Sequence, residues 1–105
     1  MTKARIILST IDTSAEAERI ARDLVDNRLA SCVNISPGLQ SVYRWQGEIH
    51  SDKELLLIIK TSSDKTDMVI KRIVELHPYD LPEAVVLPIE SGHAAYLDWI
   101  LNETD

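Results

Sequence analysis

One cysteine, three glycines and no phenylalanine occur in 105 residues. The lone Cys32 excludes an intrachain disulfide and a thiolate zinc cluster within one chain, which suits a reducing compartment. With Tyr43, Tyr79, Tyr96, Trp45 and Trp99 as the whole aromatic set, the interior has to be filled by Ile, Leu and Val. Basic residues are few. Eleven Lys and Arg stand against 17 Asp and Glu, a formal net charge of −6, and no basic cluster marks a phosphate-binding surface. That balance excludes nucleic acid and suits a cation better. No apolar run approaches membrane-spanning length and no secretory stretch follows Met1, so the sequence reads as cytoplasmic with no membrane partner. Also missing are a glycine-rich phosphate loop, a dinucleotide fingerprint, a nucleophile motif and a His-Glu-x-x-His pair. The sequence therefore does not read as an enzyme.

What is present is an ordinary globular balance, 45% apolar and 27% charged, in a length that fits a single domain over residues 1–105. The stretch from Cys32 to Thr61 organises it. Two long extended segments meet at Gln46-Gly47, where glycine supplies the positive φ of a tight hairpin turn. Trp45 and Glu48 then close the hairpin, Tyr43 lies opposite His50, and Ser41 opposite Asp52. Pro37-Gly38 interrupts the outgoing strand and reads as a bulge or bend. The returning strand ends in Leu55-Leu56-Leu57-Ile58-Ile59, a run expected of a strand buried on both faces. Helices of so short a chain cover one face; the other predicts a partner, most simply a second copy of the chain.

Before the hairpin, Ala4 to Thr10 reads as a strand around Ile6-Ile7-Leu8. Thr13 and Glu16 form a capping box that opens a helix, with Ala17, Ile20, Ala21, Leu24, Val25 and Leu29 at helical spacing. After the hairpin, a second helix begins near Ser62-Ser63-Asp64, carries Val69, Ile70, Ile73, Val74 and His77 on one side, and stops at Pro78. Ala84 to Glu90 returns as a strand, placed at a sheet edge because Pro88 cannot donate to a ladder. Ser91 caps a last helix on which Tyr96, Trp99 and Ile100 share a face. Right-handed crossovers interleave the two strand-helix-strand units into an antiparallel sheet of order 4-1-3-2 with helices on one face. This is a ferredoxin-like α+β sandwich (βαββαβ plus a C-terminal helix) with a long hairpin between the second and third strands. Burying on the order of a few hundred Å² of the uncovered face against another subunit is worth several kcal/mol before association costs.

Three separated segments carry a resemblance. Ser41-Val42-Tyr43-Arg44-Trp45-Gln46-Gly47-Glu48-Ile49, Arg28-Leu29-Ala30-Ser31-Cys32-Val33-Asn34-Ile35 and His77-Pro78-Tyr79-Asp80-Leu81-Pro82-Glu83 occur in the order seen in the CutA family of divalent-ion tolerance proteins, which the chain resembles from about Arg5 to Leu101. The resemblance implies a homotrimer whose long hairpins extend the sheets of neighbouring subunits, and a role in tolerance of copper and other divalent cations. A copper site proposed for the bacterial prototype uses a Cys on the first strand and two consecutive His residues before Pro-Tyr; here those positions hold Ser9, Leu76 and His77. His77 is the one candidate metal ligand that this carry-over leaves, for copper or another divalent cation, with Asp80 and Glu83 or a second subunit to assist it. An organic cofactor is not implied.

Other candidates read more plainly as structure. His77 can be a hydrogen-bonded helix-end residue, His50 a packing partner of Tyr43, and His93 a neutral surface residue. Cys32 reads as a buried apolar thiol. Tyr43 and Trp45 can form a stacking surface for a ligand or anchor a subunit contact. Asp80, Glu83 and Glu90 are candidates for a hard-cation site or are solvated charges. Acylphosphatases share the fold, but the segment Ser9-Thr10-Ile11-Asp12-Thr13 has no Gly or Arg to hold phosphate. Two readings lead: a homotrimeric metal-response protein, and a non-catalytic trimer resembling PII-type signalling proteins that binds a small molecule or a partner protein between subunits.

Overall fold

The computed structural model describes Met1–Asp105 as a mixed α+β domain. Strands β1 (Ala4–Ile11), β2 (Cys32–Trp45), β3 (Glu48–Ser62) and β4 (Val85–Pro88) form one antiparallel sheet of order β2-β3-β1-β4. Read from the other edge this is the expected 4-1-3-2, with Pro88 on the edge strand. Helices α1 (Ser14–Asp26), α2 (Thr66–Leu76, entered through a 3₁₀ turn at Ser63–Lys65) and α3 (Ala94–Glu103) complete the order. No helix is long and apolar enough to cross a membrane.

Alternation along the central pair sorts its side chains between two faces. Ile7 pairs with Ile59 and Ser9 with Leu57, and all four are fully buried with Ile20, Leu24, Val69 and Ile73 of α1 and α2. The intervening residues Ile6, Leu8, Leu56 and Ile58 point the other way and are only half-buried. Val85 and Leu87 of β4, opposite Leu8 and Ile6, continue this open face at 47% and 44% exposure. At its far end Ala4 and Ser62 are paired and buried, beside α3, which touches both strands and buries Ile100. Ile100 lies outside the core cluster under α1 and α2, although the end of α3 is tied to the reversal after α1 through Arg28, which reaches Asn102 and Glu103. Helices on one face alone was too simple an expectation.

Local chemistry explains the element ends. Thr13 Oγ1 accepts from the Glu16 amide at 3.2 Å, half of the expected box; the Glu16 carboxylate instead takes Arg19. Helix α1 ends at Asp26, short of Leu29. Arg28 turns left-handed (φ 57°), its amide reaches the Val25 carbonyl, and the Leu29 amide reaches the Leu24 carbonyl at 2.9 Å. This is a Schellman closure, so Leu29 is buried by the reversal rather than by helical periodicity, while Val25 is left 41% exposed. Val74 is 55% exposed, because the fully buried stripe of α2 is only Val69 and Ile73. The last helix begins at His93–Ala94 with no side-chain cap, so Ser91 does not cap it.

The hairpin register is as expected, from Trp45 opposite Glu48 through Tyr43 opposite His50, and the register shifts between Ser36 and Leu39 around Pro37-Gly38. Gln46 (φ 51°) and Gly47 (φ 81°) make the turn. Ile11 pairs with Leu55, so β3 residues before Leu55 have only β2 beside them. The molecule is drawn out to 44 × 25 × 23 Å by this two-stranded ribbon.

Candidate functional site

Where β1 stops and the ribbon begins, the connection after α2 folds across the gap. Pro78 forces His77 out of the helix into extended backbone (ψ 135°). The His77 ring is 6% exposed and spans two backbone groups: Nε2 lies 2.7 Å from the Thr10 carbonyl oxygen, and Nδ1 accepts the Tyr79 amide at 3.2 Å. That pairing makes the ring neutral, with the proton on Nε2 donated to Thr10. Tyr79 packs edge-on to the same ring at 4.4 Å between centroids and donates its hydroxyl to Glu54 Oε2 at 2.8 Å. Burial, then the Glu54 carboxylate, holds the Tyr79 hydroxyl far above the usual phenol range, so it stays a donor.

A cleft of about 780 Å³ opens here, walled by Tyr43 and Trp45 of β2, by Glu54 of β3 and by Pro78, Tyr79, Asp80, Leu81 and Glu83 of the loop. Its neighbour of about 380 Å³ shares Tyr43, Glu54 and Tyr79 and adds Asp12, Asp52 and Lys53. Partial desolvation, followed by the charge of Glu54, pushes the Glu83 carboxyl upward. The Tyr43 hydroxyl donates to Asp52, and that bond raises its pKa as well. The Tyr43 ring stacks on His50 at 5.3 Å, the cross-strand packing read from the register.

The structure thus brings together His77, Asp80, Glu83, Tyr43 and Trp45 around one end of the sheet and leaves Glu90 and His93 exposed outside it. Ser9 is fully buried under the helices, where its hydroxyl finds no partner. Leu76 offers only its carbonyl, taken by Arg19. Both His77 nitrogens are in use, so a metal ion at that ring would have to displace a backbone bond, and no three His, Cys, Asp or Glu side chains of the chain converge on a metal position. A copper ion does not fit this donor set. Cys32 is half-buried rather than in the core: it stands opposite Lys60, whose ammonium bonds Asn34 beside it. Glu54 escaped the sequence reading. It precedes the apolar run as one charge among Asp52, Lys53 and Glu54, and only the end of β1 at Ile11, opposite Leu55 of β3, distinguishes it.

A family model described as CutA1 divalent ion tolerance protein matches residues 5–103. The chain belongs to that family. A divalent-cation tolerance protein CutA of Thermus thermophilus is 48% identical over 99 residues, 94% of this chain and 96% of the relative. The solved structure of CutA from Xylella fastidiosa covers 99% of this chain and 100% of its own, with 43% identity and a TM-score of 0.96. A structure titled PII-like protein CutA, from Nostoc, matches with 38% identity and a TM-score of 0.89, covering 96% of this chain and 97% of that one. A chloroplastic CutA 1 of rice is 39% identical, and the chain spans 56% of its length. The CutA match at residues 5–103 spans both the hairpin and the His77–Glu83 loop, the two parts that build the cleft.

Proposed function

We propose that this CutA protein serves divalent-cation tolerance as a non-catalytic, cytoplasmic homotrimer whose cation contacts form across subunit boundaries. One observation carries the reading: the β2–β3 ribbon runs beyond the rest of the sheet, and a two-stranded ribbon is marginal in water without a third element against it. Its tip leaves Val42 70% and Ile49 68% exposed, and the open sheet face behind it is apolar. Neighbouring copies are the simplest cover for both. The site around His77 is incomplete in one chain, so copper or another divalent cation would need carboxylates or rings from a second subunit. Calorimetric titration with Cu(II), repeated with Zn(II) and on His77→Ala, tests this. Binding at about micromolar or tighter is the expected result, and its loss in His77→Ala would mean that the ring is released from Thr10 to serve as a ligand. No binding to the wild type removes direct cation contact.

A second reading has its own support. The cleft is large enough for a small molecule and has three aromatic rings in its wall, which favours a regulatory trimer of the PII-like kind that binds such a ligand between subunits.

A further inference from the structure

Glu54 is 9% exposed, yet it pairs with no Lys, Arg or His. One of its oxygens takes the Tyr79 hydroxyl, and no group of the chain donates to the other. Ser9 Oγ is the one fully buried side-chain oxygen without a partner, so the free Glu54 oxygen is open to the cleft as an acceptor with no counter-charge beside it. The groups around it do not relieve that. Asp80, Glu83 and the neighbouring Asp12 and Asp52 are acidic, Tyr43 already donates to Asp52, and His77 is neutral between Thr10 and Tyr79. Arg44 lines this cleft and Lys53 its neighbour, but along the strands both alternate with Glu54, Tyr43 and Trp45, and neither forms an ion pair with Glu54 or any other carboxylate.

We propose that this cleft binds a small organic cation of the ammonium or guanidinium class, with Glu54 as its counter-charge and Tyr43, Trp45 and Tyr79 as its walls. A cation over an aromatic face is attracted by the ring quadrupole, most strongly for Trp, and gains further where water is excluded. A bare divalent ion suits the same place less well, since it needs several oxygen ligands at once and no three acidic or imidazole groups converge here. The Tyr79 hydroxyl positions the Glu54 carboxylate, and Glu83 on the loop adds charge at the mouth.

This inference rests on the cleft being a ligand site, the second reading above. Calorimetric titration of the full chain at low salt with benzamidine, a cation at neutral pH, beside the neutral benzamide of the same shape, separates the two. Benzamidine is expected to bind about tenfold or more tightly than benzamide and to weaken by about tenfold in Glu54→Gln, less in Glu83→Gln. Glu83 is exposed, so Glu83→Gln is informative even if Glu54→Gln fails to fold. Equal binding of both probes overturns the cation claim and leaves a ligand cleft standing. Binding of neither overturns both, and displacement of bound benzamidine by equimolar Zn(II) gives the cleft to a metal ion instead.

Discussion

Leu57 and Ile58 are neighbours on one strand and belong to two different structures. Leu57 faces α1 and α2, is fully buried, and completes a closed aliphatic core without any help from outside the chain. Ile58 faces the open side with Leu8, Leu56 and Ile6, half-buried, on a surface that continues toward the two-stranded ribbon. The helix-covered face is finished chemistry. The open face and the ribbon are left apolar and uncovered by the chain itself, which is what the proposed trimer would cover, and the cleft with Glu54 lies at their junction. An unbroken apolar run on a central strand therefore marks association as much as folding.

Truncation within the closed face gives the largest effect. Leu57→Ala removes a fully buried side chain and should lower stability by about 2–5 kcal/mol in denaturant unfolding, with the assembly mass unchanged. A smaller change of opposite sign comes from the flaw in that face: the buried Ser9 hydroxyl has no partner, so Ser9→Ala should stabilise by roughly 1 kcal/mol. A lower melting temperature would show that the hydroxyl is satisfied after all. The smallest effect joins the two covering helices, where Arg72 grips Asp23 with two bonds of 2.8 and 2.7 Å. Hydrogen bonding to Arg72, opposed by modest burial, holds the Asp23 carboxyl below the usual aspartate range. Because the folded-state pKa is depressed, the contribution is complete above the unfolded aspartate value and is lost as pH falls through the folded one. Arg72→Ala should therefore remove up to about 1 kcal/mol at neutral pH, and the difference from wild type should vanish under strong acid. A gap that persists there would assign the effect to packing.

The sequence made the closed face and the hairpin legible because each has a local signature. Ile6 to Leu8, the Leu55 to Ile59 run and Gln46-Gly47 state their roles by periodicity and turn chemistry, and the strand order followed from handedness. Leu29 was right as core but wrong as helix, since a left-handed Arg28 carries no signal where glycine is the usual residue. The cleft was half legible. Tyr43, Trp45, Asp80 and Glu83 lie in segments that stand out, but Glu54 depends on which strand ends first, a relation between residues more than forty positions apart. His77 drew attention as a ligand type, while the two backbone partners that occupy its ring come from Thr10 and Tyr79 and are set by the tertiary fold.

Sedimentation equilibrium at micromolar concentration, on the wild type and on Ile58→Asp, tests the unfinished side of the molecule most directly. The wild type should run at three times the 11.8 kDa chain mass, and Ile58→Asp should shift toward one chain while keeping its helices and sheet by circular dichroism. A wild-type mass of a single chain would contradict the account, because the open face and the ribbon would then be stable in water on their own.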